Sequence, residues 1–168
     1  EKFRMAYPIT ESLKNLLEQT LSDRRWDMTY LGMQVLIEGL ALAAFQRIRD
    51  SAKNNLAAAV NAYVMQDEAR HVTFGRMALR EYYPHLSDAE RGEREEFAVE
   101  ALYFMRDRFN QSEVWERSGL PVGKLNELHY QSKQMNSFRG RLFSRIVPTV
   151  KDIGLWGEIG RASWRERV

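Results

Sequence analysis

The sequence predicts an all-α protein, an antiparallel helix bundle. Apolar residues recur at helical spacing in five segments, and polar or proline-containing breaks separate these segments. No stretch longer than a few residues alternates as a strand would. With 168 residues and 44% apolar side chains, the chain can bury one sizeable core. We therefore expect residues 1–157 to form a single helical domain.

The composition excludes several classes of protein. There is no cysteine, which rules out disulfides, thiolate catalysis and zinc-thiolate sites. Lys and Arg number 25 against 23 Asp and Glu, and a net charge of +2 makes no case for nucleic acid or an anionic membrane. The lack of cysteine fits a reducing compartment. We expect a cytoplasmic protein with neither nucleic-acid nor membrane partners.

The first two helices follow a short N-terminal segment. Residues 1–8 are predicted to be a loop that ends at Pro8, and Thr10 can cap a short helix over residues 11–21. Asp27 is a fair N-cap for a second helix over residues 28–50.

The second helix is apolar enough to resemble a membrane span. Residues 28–46 approach the required length. A central Glu38, the polar Gln34, two glycines and charged residues at both ends argue against that interpretation. The pattern instead favours the central helix of a large bundle, buried nearly all round.

A third helix is predicted over residues 56–83, after a short connection at residues 51–55. The sequence midpoint between Glu38 and Glu68 falls at residue 53, in the middle of this connection. If the two helices form an antiparallel hairpin, the two carboxylates lie at the same level, about 22 Å from the turn.

Two further helices are expected after Pro84. The Ser87-Asp-Ala-Glu90 sequence is a capping box that begins a fourth helix, predicted to run to residue 116. A fifth helix is predicted over residues 122–146, ending before Pro148.

Three residues form a candidate metal site. Glu38 is the only charged residue between Leu31 and Phe45, and a buried, unpaired carboxylate costs several kcal/mol unless a cation, a proton or strong donors compensate it. Glu68 and His71 form a Glu-x-x-His pair, which a helix presents on one face. The pair alone is weak, because helices carry many such pairs on solvated faces. Together with a level Glu38, it predicts a metal site.

Glu38 followed by Asp67-Glu68-Ala69-Arg70-His71 resembles one half of the ferritin-like di-iron carboxylate proteins. The likeness is greatest to the branch that holds the ribonucleotide reductase small subunit and the di-iron oxygenases. By this resemblance Glu38 and His71 would be terminal ligands of one iron, and Glu68 would bridge two irons. Asp67 would accept a hydrogen bond from the metal-bound histidine of the other half. Manganese is the alternative metal.

The chain departs from that family because only one half of the motif is present. Glu100 has the right height for a further ligand, but its acidic neighbours favour a solvated face. The Glu127-Leu-His129 group has the wrong spacing and level, and His85 is interpreted as a turn residue. We therefore expect the chain to be a C-terminal portion of a longer protein whose upstream half completes the site. A homodimer that pools two half-sites is the alternative.

The C-terminal residues 158–168 closely resemble the translation of a common sequencing adapter, with Trp164 where that peptide has cysteine. We interpret this segment as a non-native tail, to be left out of fold reasoning.

Three functions remain open at this point. The resemblance favours a di-iron enzyme that activates dioxygen and acts on a small-molecule substrate the sequence does not identify. A ferritin-like iron-storage protein is the second hypothesis. The third is a metal-free helical scaffold in which Glu38 is protonated or hydrogen-bonded.

Overall fold

The computed structural model describes residues 9–109 and 111–157. Helices make up 85% of the structure, and this described part contains no strand, so the predicted all-α class is confirmed. The α-helices described are α1 (Glu11–Ser22), α2 (Trp26–Tyr30), α3 (Glu38–Ser51), α4 (Asn55–Tyr82), α5 (Asp88–Arg108), α6 (Ser112–Arg117), α7 (Val122–Gln131) and α8 (Lys133–Asp152). The predicted N-terminal loop at 1–8 and the adapter-like tail at 158–168 lie outside the described residues.

Helices α3 and α4 form the predicted antiparallel hairpin, and theirs is the most extensive helix–helix contact in the structure. The turn between them is short because Asn54 caps α4. Its side-chain oxygen accepts hydrogen bonds from the backbone N–H groups of Leu56 (2.8 Å) and Ala57 (3.3 Å). These bonds satisfy two of the donors that a helix N-terminus leaves free. The hairpin thereby fixes which residues of α3 and α4 lie level with each other.

The core is formed where α1, α5 and α8 meet the hairpin and the helical residues 31–37 that precede α3. Its largest fully buried apolar side chains are Leu16, Leu31, Val35, Leu36, Leu79, Tyr83, Ile146, Ile153 and Leu155. Full burial of one such aliphatic side chain contributes about 1.5–3 kcal/mol. The core therefore holds α8 against the hairpin and supports the hairpin from one side.

The second predicted helix differs from expectation in its geometry. It is continuous over Trp26–Ser51, but residues Leu31–Ile37 form a π-helix between α2 and α3. The backbone N–H of Glu38 accordingly bonds to the carbonyl of Met33, five residues back. Periodicity arguments assume 3.6 residues per turn throughout and cannot detect this wider turn.

Burial of this helix is less complete than predicted. Leu31 and Leu36 are fully buried, whereas Ile48 near the other end is 47% exposed. The helix is long and apolar enough to cross a membrane, with a mean hydropathy of 1.4 over its most apolar window and 39% of that window buried within the protein. The absence of a membrane partner stays a prediction.

Helix boundaries in the C-terminal half were predicted less well. The fourth helix begins at the capping box as expected, with the backbone N–H of Ser87 donating to Glu90 Oε2 at 2.8 Å, but α5 ends at Arg108. The fifth is interrupted at Ser132, whose hydroxyl caps α8, and α8 continues through Pro148 to Asp152. The proline is tolerated because Ile146 and Val150 on either side of it remain buried in the core.

Asp27 does not cap the second helix, as the sequence had suggested, because Arg25 occupies the N-cap position. Asp27 is buried and accepts two hydrogen bonds from Arg94 of α5, Nε to Oδ2 at 3.0 Å and Nη2 to Oδ1 at 3.4 Å. Arg94 lies in a strongly charged run that the sequence suggests is solvated. The two-pronged pair is the kind of geometry that allows a buried charge to persist.

Candidate metal centre

The predicted ligands come together across the hairpin. Glu38 lies at the first position of α3, and Glu68 and His71 lie one turn apart near the middle of α4. Each offers one ligand atom, and these three atoms all lie within 4.8 Å of one another. The level pairing expected from the sequence is thus present in the structure.

Distances within the cluster suit a shared cation better than direct hydrogen bonds. His71 Nδ1 lies 3.7 Å from Glu38 Oε2 and 3.6 Å from Glu68 Oε2. Both separations exceed a normal N–H···O bond of about 2.7–3.2 Å. An ion bound at about 2.0–2.2 Å from each ligand atom can span separations of up to about 4.4 Å. Carboxylate oxygens with one imidazole are donors suited to iron or manganese.

Two oxygens of the cluster are buried without a partner among the described residues. These are Glu38 Oε2 and Glu68 Oε2, the same two atoms that face His71. Burial raises the pKa of the Glu38 carboxyl, and the nearby Glu68 raises that pKa further, while His71 opposes the shift. A bound cation would remove this penalty, since it supplies the missing positive charge.

Close backbone packing holds the two helices together beside the cluster. Gly75, four residues after His71, lies against Gln34, four residues before Glu38, and a Cβ added at Gly75 would come within 2.5 Å of Gln34 Cβ. A larger residue at position 75 would push the helices apart where the ligands must converge. Gly75 is thus a supporting residue that sequence analysis missed, since a lone helical glycine gives little signal by itself.

Gln34 brings a further polar atom to this part of the hairpin. Its Oε1 is buried and has no hydrogen-bond partner in the described part of the chain. Buried polar atoms are nearly always paired, so an unpaired amide oxygen in this hairpin calls for an explanation such as a bound water. The signal for it was available, because Gln34 is a polar residue within an apolar run.

Asp67 is not part of the cluster. Its side chain is 65% exposed and accepts a hydrogen bond from Arg70 Nη1 at 2.5 Å. Its predicted bond to a histidine of another half is not tested by a single chain. The other candidates also lie elsewhere, with Glu100 and His85 exposed and His129 edge-on to Trp115 at 5.7 Å between ring centroids.

The cluster is open on one side. His71 is 58% exposed, although the two carboxylates beside it are only 19% and 22% exposed. Three ligands are fewer than iron or manganese prefers, so the open side is where further ligands would approach.

Comparisons of this chain with protein-family models, with curated proteins and with solved structures found no significant match.

Proposed function

We propose that this chain supplies half of a di-iron carboxylate centre in an oxidoreductase that activates dioxygen, with its helices in a ferritin-like bundle. The observation that carries the proposal is the pair of buried, unpartnered carboxylate oxygens on Glu38 and Glu68, both facing His71. Such an arrangement costs free energy in the absence of a cation. The resemblance of the same residues to one half of a di-iron site agrees with it.

Each ligand has a distinct part in this proposal. Glu38 and His71 would hold one ion as terminal ligands, and Glu68 would share its two oxygens between that ion and a second one. The neutral form of His71 is required, with Nδ1 free to ligate and Nε2 carrying the proton. The hairpin contributes by fixing these three donors before metal arrives, so that little conformational entropy is lost on binding.

Ferrous iron bound here would supply the electrons and the open coordination positions that dioxygen activation needs. The apolar residues of the π segment and of α3 would keep bulk water from the inner side of the centre. Gln34 would offer an amide oxygen near the centre, able to orient a water or a polar group of the substrate.

The test is an anaerobic titration of the full chain with Fe(II), in which binding is measured by calorimetry. We expect saturable binding of about one ion per chain, and Glu68→Ala should weaken it at least about 100-fold, since loss of groups behind metal ligands already costs about 10–100-fold. Helical content should be unchanged in circular dichroism. Oxygen uptake by the iron-loaded protein should disappear in the same variant.

A matched control is Glu96→Ala, which removes an exposed carboxylate from α5, away from the cluster. It should bind iron like the unmodified chain. Uptake of many irons per chain would favour the storage hypothesis instead, and the absence of any binding would contradict the proposal that these three residues hold an ion and favour the scaffold.

A further inference from the structure

The outward face of α4 carries an unusual row of exposed side chains, which we call the α4 stripe. Its apolar members are 50–71% exposed. The two charged residues in the middle, Asp67 and Arg70, are 65% and 72% exposed. The stripe consists of Leu56, Val60, Tyr63, Asp67, Arg70, Phe74, Met77 and Glu81. Contiguous exposed apolar rows of this kind mark interaction surfaces.

The spacing of the stripe is that of a coiled-coil seam. Successive members are separated alternately by four and three residues, which gives the repeat of 3.5 residues that lets two helices remain in contact over several turns. A shallow groove lined by Ala69, Arg70, Thr73, Phe74 and Met77 lies along it. The expected occupant is therefore another helix.

The order of residues in the stripe identifies that helix. The stripe is symmetric about the point between Glu68 and Ala69, so that position 67 mirrors 70, 63 mirrors 74, 60 mirrors 77 and 56 mirrors 81. When two copies of α4 pair antiparallel about this point, Tyr63 faces Phe74 and Val60 faces Met77, each twice. Asp67 of each copy faces Arg70 of the other, and Leu56 lies beside the aliphatic part of Glu81. Six of the eight positions then meet a chemically complementary one.

We propose that two copies of this chain pair through the α4 stripe, antiparallel and about a two-fold axis at Glu68–Ala69. An interface of this kind is self-complementary by symmetry, as homodimer interfaces must be. In the single chain Arg70 donates a hydrogen bond to Asp67, and the described residues show no other bond to either side chain. In the dimer the two pairs become a four-charge cluster, which fixes the register of the apolar contacts.

The same pairing places the two half-sites at nearly the same level along the paired helices. The two copies of Glu68 lie one residue apart along the axis, a rise of about 1.5 Å, and Asp67 of one copy lies within one residue of the level of His71 of the other. If each half-site binds one ion, the dimer holds two ions with four carboxylates and two imidazoles between them. This last consequence rests on the proposed function, whereas the pairing itself does not.

Cysteine cross-linking tests the pairing and its direction, because the native chain has no cysteine. Tyr63→Cys and Phe74→Cys chains are prepared separately and oxidised alone or mixed. The mixture should form a disulfide-linked dimer, whereas each variant alone should not, because two copies of one position lie about 16 Å apart in the antiparallel pair. Val114→Cys mixed with Leu128→Cys, at exposed apolar sites outside α4, is the control and should not cross-link.

Charge reversal tests the register. Light scattering should give twice the chain mass of 19.7 kDa for the native protein. Asp67→Arg and Arg70→Asp should each weaken dimerisation by about tenfold or more, because like charges then face each other. An equimolar mixture of the two variants should dimerise again, since every opposed pair in the mixed dimer is of opposite sign.

A native chain that stays monomeric, or a Tyr63→Cys chain that cross-links to itself, would overturn the pairing. A chain that binds iron as a monomer would contradict the dimer and leave the proposed function standing. A dimer with no affinity for iron would support the pairing and contradict the proposed function.

Discussion

Two groups of buried charge in this bundle are handled in opposite ways. Asp27 and Arg94 are 1% and 2% exposed and bond to each other at two points, so each charge has its partner within the chain. Glu38, Glu68 and His71 include two buried carboxylate oxygens with no hydrogen bond among the described residues. The first group is closed and the second is open. The unpartnered oxygens of the second group are the reason we propose that it binds a cation, since two carboxylates and an imidazole are suitable metal ligands.

Breaking the closed pair should change the free energy of unfolding more than a substitution in the open cluster does. Arg94→Ala leaves Asp27 buried without a partner, and we expect the free energy of unfolding to fall by about 3–5 kcal/mol. Urea denaturation measures this loss. Arg91→Ala is the control, since Arg91 pairs with the almost fully exposed Asp88, and its removal should cost no more than about 1 kcal/mol. Equal losses of unfolding free energy in both variants would show that the buried Asp27–Arg94 pair contributes no more to stability than an exposed one.

Removing a charge from the open cluster should not lower the free energy of unfolding, in contrast to the closed pair. In metal-free protein, Glu38→Gln removes a buried carboxylate whose negative form is unfavourable, so the free energy of unfolding at neutral pH should stay the same or rise. A clear loss of stability would mean that Glu38 has a compensating partner already, and the cluster would then be closed.

The pH dependence of this difference follows from the raised pKa of Glu38. Between the pKa of the unfolded chain, near 4.5, and the higher pKa of the folded protein, the folded state binds more protons. Stability from this group is therefore greatest at low pH and is lost as pH rises through the folded pKa. The gain from Glu38→Gln should be smallest near pH 4.5 and larger at pH 7, as measured by urea denaturation with a chelator present. Glu96→Gln, at an exposed site, should show no such trend.

Sequence analysis could predict the open cluster but not the closed pair, for a physical reason. Glu38, Glu68 and His71 lie on two helices joined by a short turn, so helix geometry alone fixes their relative height. Asp27 and Arg94 are separated by helices and turns whose relative placement depends on packing of the whole bundle. Local charge patterning suggested the wrong surroundings for Arg94, because Glu93 and Glu96 nearby in the sequence are exposed while Arg94 turns inward.

The π segment and the continuation of α8 through Pro148 were missed for a similar reason. Both depend on burial of the surrounding residues, which outweighs the local preference for a regular α-helix or for a helix end. The α4 stripe was readable from the sequence as a 3.5-residue repeat. The sequence does not show that its apolar residues are exposed, and that exposure is the observation on which the proposed pairing rests.

The most direct test of the open cluster is the effect of Mn²⁺ on the stability of the full chain, measured as the free energy of unfolding with and without the ion. Saturating Mn²⁺ should stabilise the native protein, by about 2.7 kcal/mol at one hundred times the dissociation constant. It should have no effect on Glu68→Ala and the usual effect on Glu96→Ala. Equal stabilisation of the native protein and Glu68→Ala, or none in either, would contradict the claim that this cluster holds a metal ion.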